Sequence, residues 1–295
     1  MKIVLLGASG QLGQEWQVFF NKQASADHLL LPYTSSQLDI TNEEELAHEL
    51  EQQEADVVIN CAAYTDVDGA EEHRDTALKV NAEAVASLAE ICSDLDCMLI
   101  HYSTDYVFPG SLDDRDNLPG GYPEDYPTNA INYYGETKLK GEEGIRSSGC
   151  RHLIVRVSWL CGAYGANFVK TMLMLGRERD QLQVVNDQWG SPAFTENVVF
   201  NTWQLLEAGQ SGTYHITSKG LITWYDFARA TFEAASVNVE VQPVSSDQFP
   251  TAAKRPHFSK LNTNKVKAVA GTKVIDWKLG LKSMLEELES QAKEG

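Results

Sequence analysis

The chain opens on an unbroken apolar run, KIVLL (2–6), which stops at a glycine and passes into the helical spacing of QLGQEWQVFF. The same alternation of apolar runs and helical spacings recurs through the first half. HLLL (28–31) predicts a second strand, and Thr41 to Glu54, with acids in its first turn, predicts a helix. DVVINCAAY (56–64) predicts a buried strand, Thr76 to Ser93 a long amphipathic helix, and CMLIHYSTD (97–105) and HLIVRVSWL (152–160) two further strands. Strands apolar at successive positions are covered on both faces. The expected fold class is therefore α/β, a doubly wound parallel sheet with helices on both sides.

Two stretches break this rhythm. PGSLDDRDNLPGGYPEDYPTNA, between Phe108 and Ile131, is rich in Pro, Gly and Asp and too long for an ordinary connection, so it is expected to be an active-site loop. Beyond Leu160 the alternation weakens and Gly/Pro punctuation increases, which predicts a smaller lobe sharing chain crossings with the first. No internal repeat or low-complexity tract interrupts the 295 residues, a length that suits one large α/β domain and a lesser lobe.

Composition narrows the choice of partner. A formal charge of −18 argues against a nucleic-acid surface, because phosphate contacts need clustered Lys and Arg. A nucleotide ligand stays open if backbone N–H groups, a helix N-terminus or a few focal cations receive it. No apolar run approaches the roughly 18 residues of a membrane span. MKIVLLGASG is too short and too glycine-interrupted for a signal peptide. The five cysteines (61, 92, 97, 150 and 161) form no CxxC pair, so reduced thiols and a cytoplasmic location are expected. Cys61, within VVINCAA, reads as a small buried residue rather than a reactive thiol.

Chemistry enters at the first glycine. Gly7, Gly10 and Gly13 of GASGQLG follow a strand and open a helix, the context of a dinucleotide-binding turn. Glycines there allow a tight bend and a close approach of backbone to pyrophosphate, whose charge faces the helix N-terminus. The spacing is GxxGxxG rather than GxGxxG. After the second strand the chain reads LLLPYTSSQLD, with neither the acid that NAD ribose favours nor the base that a 2′-phosphate favours immediately following. Asp39 comes later and is suited to adenine or ribose, or to capping the next helix.

In INYYGETKLKGEE (131–143), a helix starting near Asn132 places Tyr134 and Lys138 on one face, four residues apart. Tyr133 pairs instead with Thr137, and Lys140 falls on another side. Reducing a carbonyl by hydride calls for a proton on the developing alkoxide, which a tyrosine supplies. A lysine cation about 4 Å away, at an effective dielectric near 20, favours phenolate by up to about 4 kcal/mol. That is enough to bring the tyrosine from about 10 towards neutrality, less what desolvation costs. Upstream, Ser103 and Thr104 stand at the C-terminal end of a predicted strand, where open α/β sheets bind ligands. A hydroxyl there would hold the carbonyl against Tyr134. Glycine turn, strand-end hydroxyl and YxxxK in this order are far more specific than any one of them.

With these residues the sequence resembles the extended short-chain dehydrogenases/reductases, and within them the dTDP-4-dehydrorhamnose reductase family, nearly from end to end. The resemblance is carried by GASGQLG (7–13), LDIT (38–41), AAYTDVDGAE (62–71), VNA (80–82), STDYVFPG (103–110), YGETKLKGE (134–142), RVSWLCG (156–162), NFVKTML (167–173), VVNDQWGSP (184–192) and KRPHFSKLNT (254–263). It implies a Rossmann-type sheet with a smaller C-terminal α/β substrate-binding lobe. Residues 1–160 and a returning segment at about 193–218 would bind the dinucleotide, and 161–192 with 219–295 the sugar nucleotide. The implied reaction is reduction of the 4-keto group of a dTDP-linked 6-deoxyhexose to give dTDP-L-rhamnose for bacterial surface polysaccharide.

By the same resemblance Tyr134 is the proton donor, Lys138 tunes it and holds the nicotinamide ribose, and Thr104 and Asp105 contact the sugar near its reacting carbon. Gly7, Gly10 and Gly13 would take the cofactor's pyrophosphate, Gln11, Leu12, Asp39 and Ile40 would bind its far half, Ala62, Ala63 and Thr65 would lie along it, and Asn81 would stand near it. Trp159, Asn167, Phe168 and Arg255 would shape the sugar-nucleotide pocket. Plainer roles stand beside these: Trp159 as core, Asn81 as a helix–loop tie, Arg255 in a surface ion pair, Asp68 and Glu71 as helix-start charges. Ser35 occupies a place where many relatives carry an arginine for the 2′-phosphate, so NADPH and NADH are both expected as cofactors. No catalytic metal is implied. Some relatives dimerise around magnesium held by C-terminal glutamates, which would make Glu286, Glu287 and Glu289 its ligands in a homodimer; a monomer needs none. A sugar-nucleotide epimerase or dehydratase of the same fold, and a non-catalytic regulatory subunit that binds NADP, are the competing readings.

Overall fold

A computed structural model of the protein describes residues 1–23 and 28–294. Six strands, β1 (Lys2–Leu6), β2 (Leu29–Tyr33), β3 (Val57–Asn60), β4 (Met98–Thr104), β5 (His152–Val157) and β6 (Gly212–His215), form one sheet in the order β6-β5-β4-β3-β1-β2. Every pairing in it is parallel. Alternate side chains of each strand enter separate cores. Ile3, Leu5, Ile59, Ile100 and Val155 meet Leu12, Trp16, Phe20 and Trp203 on one face. Val4, Leu6, Val58, Leu99 and Ile154 meet Leu46, Leu50, Leu88 and Ile145 on the other. This two-sided burial is why the strands read as continuous apolar runs. The order reverses between β1 and β3, so a crevice opens at the C-terminal ends of these two strands.

Element boundaries depart from the sequence pattern where side chains intervene. The strand expected over 56–64 ends at Asn60, whose Oδ1 accepts a hydrogen bond from the Ala62 N–H at 2.9 Å and turns the chain. The strand expected over 152–160 ends at Val157, because Trp159 adopts a left-handed φ of 49°. Leu160–Cys161 then pairs with Ala193–Phe194. The helix expected over 76–93 spans Arg74 to Asp94 but carries a π-helical turn, Lys79–Glu83, at its centre. Such bulges re-aim side chains within a helix, here that of Asn81. Pro32 within β2 is tolerated because β2 is the sheet's edge.

The Pro/Gly-rich 108–131 segment is a correction to the expected active-site loop. Tyr122 is fully buried, stacks on Phe108 at 4.6 Å, and donates its N–H to Lys260 O at 2.9 Å. With Val107, Phe258 and Leu261 it forms a cluster of its own. The segment thus binds the distal part of the chain to the first half.

Helix Thr195–Glu207, β6 and Val266 return to the main sheet and its core, while a separate core gathers other residues beyond Leu160. That core joins helices Phe168–Glu178, Trp224–Ala234 and Trp277–Glu294 through Val169, Leu173, Phe227, Trp277, Leu281 and Leu285. Strands Gln181–Val185 and Glu240–Val244 pair in parallel beside it.

Candidate active site

Helix Tyr133–Ser148 starts where the sequence places it. The Asn132 side chain caps it by accepting the Gly135 N–H at 2.8 Å, and Gly149 ends it at a φ of 79°. Arg156 fixes the helix to the sheet. Buried on β5, it donates Nε and Nη2 to the two carboxylate oxygens of Glu142 at 2.8 and 2.7 Å. Tyr134 and Lys138 consequently face the C-terminal ends of β3 and β4.

There they line a cleft of about 480 Å³. Its walls include Gly10, Gln11, Leu12, Ala62, Ala63 and Thr65 on the glycine-turn side. Thr104, Asp105, Tyr106, Tyr134, Lys138 and Trp159 stand on the other. No cleft-lining residue among those described comes from 108–131. The glycine turn fits a dinucleotide. A Cβ on Gly7 would meet Ala62 N at 2.6 Å, and one on Gly13 would meet Gly7 O at 2.2 Å, so both must be glycine for strand, turn and helix to touch. A Cβ on Gly10 would find nothing nearer than Gly7 O at 3.4 Å, and that residue lines the cleft. The turn therefore offers an uncovered backbone edge at a helix N-terminus, suited to a pyrophosphate.

The other sequence candidates are distributed around this cleft. Asp39 is exposed and accepts the Thr41 N–H at 2.9 Å, a local turn, while Ile40 is buried in the core. Asn81 ties helix to loop: its Oδ1 accepts the Tyr64 N–H at 2.9 Å, and its Nδ2 donates to Tyr64 O and to Thr137 Oγ1. It shapes the chain beside Ala63 and Thr65 without lining the cleft. Asn167 caps helix Phe168–Glu178 and donates to Gln11 Oε1 at 3.2 Å, linking the glycine turn to the second core. Phe168 packs on Trp224 at 4.5 Å. Arg255 donates Nη2 to Asp68 at 2.6 Å, whereas its buried Nη1 has no partner. Glu71 accepts the Tyr133 N–H, and Arg74 lies over the Tyr133 ring at 4.2 Å, so Tyr133 is held outside the cleft.

Several residues gain roles that the sequence pattern did not mark. Tyr106 sets its ring edge-on to Tyr134 at 5.8 Å. Trp224 stacks on Trp159 at 3.6 Å, and Gly190 leaves room for that ring. Asn60 lines the floor of the cleft, and His101 lies buried behind it. The only advance signal for the latter pair was a polar residue inside an otherwise apolar strand.

The electrostatics correct one expectation. Lys138 does not pull Tyr134 towards neutrality. Burial drives the Tyr134 phenol well above its ordinary value, and the neighbouring Asp105 adds to this, with the Thr104 hydroxyl opposing. Lys138 is itself lowered to about 8 by burial, partly offset by Glu142. Its Nζ donates to Tyr102 O at 2.7 Å and lies 3.1 Å from His101 Nε2. Desolvation wins over the pairwise attraction. Burial likewise raises Cys61, which agrees with an inert thiol.

Asp105 is pushed up to about 7 by burial, with a hydrogen bond from Thr104 opposing. An acid raised on folding binds more protons folded than unfolded between about pH 4 and 7, so it costs stability as pH rises through that window. Asp105→Asn, which cannot ionise, is expected to raise the melting temperature relative to the parent more at pH 8 than at pH 5. An equal offset at both pH values would show that Asp105 is already ionised in the fold.

A second cavity of about 370 Å³ lies between helix Gln11–Gln23 and the C-terminal helix, lined by Glu15, Glu196 and Glu287 among others. Among the described residues, no three His, Cys, Asp or Glu side chains converge as a metal site. Glu286 pairs with Lys282 at 3.7 Å, Glu287 lies 4.0 Å from Lys22, and Glu289 is exposed. Among the described residues, one chain by itself brings no ligand set together for the magnesium implied for a dimer.

Comparison with known proteins agrees with the geometry. The family model described as the RmlD substrate binding domain matches residues 1–290. A dTDP-4-dehydrorhamnose reductase of Escherichia coli is 37% identical over 300 residues, covering 98% of each chain. The solved dTDP-4-dehydrorhamnose reductase of Clostridium acetobutylicum superposes with a TM-score of 0.92 at 36% identity, covering 98% of this chain and 100% of that one. The Bacillus anthracis enzyme of the same name, solved in complex with NADP, gives 0.91 at 35% identity over 97% and 99%. The chain thus belongs to the RmlD substrate binding domain family, alongside these dTDP-4-dehydrorhamnose reductases.

Proposed function

We propose that this protein is an NAD(P)H-dependent reductase of the 4-keto group of dTDP-4-dehydro-β-L-rhamnose, yielding dTDP-L-rhamnose for cell-surface polysaccharide such as O-antigen. The observation that carries the reading is the convergence of Thr104, Tyr134 and Lys138 in the cleft that the glycine turn opens. Bound nicotinamide supplies the hydride. Thr104, at the end of β4, aligns the keto oxygen, and Tyr134 gives its phenolic proton to the alkoxide that forms there. Lys138, held from below by Tyr102 O, steadies the resulting phenolate. Arg255, with one guanidinium nitrogen on Asp68 and the other unpartnered, is suited to the diphosphate of the sugar nucleotide. Asp105 is the one carboxyl among the described cleft-lining residues, which disfavours a dehydratase needing further acids.

At the end of β2, Thr34, Ser35 and Ser36 present hydroxyls, neither a carboxylate to repel a 2′-phosphate nor a guanidinium to demand it. A charged hydrogen bond of about 1.5–3 kcal/mol is thereby absent, so NADPH and NADH are expected to support kcat/KM values within about tenfold. We assign the reaction to the cytoplasm, in keeping with five free cysteines.

The test is oxidation of NADPH and of NADH with dTDP-4-dehydrorhamnose generated in the same tube. Rapid oxidation with formation of dTDP-rhamnose is expected. Cofactor binding without turnover on this or other keto sugars would favour the regulatory subunit instead.

A further inference from the structure

His101 is fully buried on β4, opposite Asn60 in the register of β3 and below Lys138. Its Nδ1 lies 3.2 Å from Asn60 Nδ2 and its Nε2 lies 3.1 Å from Lys138 Nζ. The orientation of Asn60 follows from its other end, since Oδ1 accepts the Ala62 N–H. The amide NH₂ facing His101 can only donate, so Nδ1 accepts and the single ring proton of neutral imidazole sits on Nε2, aimed at Lys138. An amine at Lys138 accepts that proton while still donating to Tyr102 O. An ammonium has no lone pair, and two donors would then meet in one dry gap. Relief requires the ring proton to move to Nδ1 and the Asn60 amide to turn over, which releases the Ala62 N–H into the wall of the cleft.

We propose that His101 is a positioning residue that couples the charge of Lys138 to the Asn60–Ala62 turn, so that the lysine takes up its proton as the turn lets go of the Ala62 amide. The remaining surroundings leave the lysine as the titrating member. Lys138 feels Glu142 on its own helix and Cys61 from the β3 loop, and shares the cleft with Tyr134; Glu142 is engaged by Arg156 and Arg146. Asp105 acts on Tyr134 from beyond β4. His101 is held well below its ordinary value by burial and then by Lys138, so it stays neutral, whereas Lys138 is brought to about 8. For catalysis, which rests on the reaction proposed above, the charged lysine and the released amide arrive together: one steadies the phenolate, the other adds a donor beside the dinucleotide.

Ring-nitrogen NMR of the cofactor-free protein with ¹⁵N-labelled histidine tests this without any substrate. The seven histidines are sorted by the resonance missing from His101→Gln. Between pH 9.5 and pH 6, His101 is expected to pass from the Nε2–H to the Nδ1–H tautomer with a midpoint near 8. Asn60→Asp, which presents an acceptor to Nδ1, should hold the Nδ1–H form throughout and move the alkaline limb of kcat/KM up by about one pH unit, a tenfold change in proton concentration. One unchanging tautomer in the parent across this range would overturn the coupling. Loss of turnover with the tautomer switch intact would instead count against the proposed reaction alone.

Discussion

Tyr134→Phe is expected to lower turnover by about 10²–10⁴ while cofactor affinity and melting behaviour stay those of the parent. The substitution removes one oxygen from a half-buried ring packed edge-on against Tyr106, so the packing survives and the proton does not. Tyr133 is the matched control. Its ring is covered by Arg74 and its N–H is bonded to Glu71, both away from the cleft, so Tyr133→Phe should leave kcat within about twofold, far below the range of a lost general acid. Single-turnover rates with both cofactor and sugar nucleotide saturating make the comparison free of binding effects. Similar losses in both variants would remove Tyr134 from the acid's role.

The second large effect is on stability. Burial alone would raise the Glu142 carboxyl, yet it lies below its ordinary value because the Arg156 guanidinium, supported by Ser103 and Arg146, more than offsets desolvation. Arg156→Met leaves that carboxylate buried with Arg146, at 2.6 Å, as its remaining cation. Breaking one side of a buried pair costs about 3–5 kcal/mol, whereas replacing both sides by apolar groups is often neutral. Urea unfolding should therefore show a loss of that size in Arg156→Met and recovery of most of it in Arg156→Met with Glu142→Leu. The linkage has a definite sign: with its pKa depressed on folding, Glu142 adds stability above the ordinary carboxylate range and loses it as pH falls. The single variant should accordingly differ least from the parent at low pH. Equal losses in single and double variants would mean that Arg156 acts by packing over Phe108, at 5.0 Å, rather than through its charge.

Local chemistry made much of this architecture legible. KIVLL followed by three spaced glycines defines a strand, a turn and a helix, and Asn132 ahead of a four-residue spacing is enough to put Tyr134 and Lys138 on one face. What escaped depends on partners far apart in sequence. Asn60 and His101 are isolated polar residues in apolar strands until β3 and β4 come into register. Asp68 and Arg255, 187 positions apart, become an ion pair only in the fold. The charge balance at Tyr134 follows the same pattern: residue spacing gives the distance to a lysine but not the burial that opposes ionisation of the phenol. Proline and glycine between 108 and 131 announced a loop, yet whether it lines a cleft or ties two regions together was decided by Tyr122 finding Phe108 and Phe258.

The place of β6 at the end of the sheet has a consequence for how the protein is made. Trp16, Ile3 and Leu5 are covered in part by Val198, Trp203 and Leu205, and β5 gains its outer neighbour only from Gly212–His215. A ribosome adding about 5–20 residues per second needs roughly 3–12 s to pass from Val157 to His215. During that interval the nascent first half holds an open sheet edge and a bare aromatic face. A polypeptide released before His215 is therefore expected to be degraded or to aggregate rather than to persist as a smaller nucleotide-binding protein.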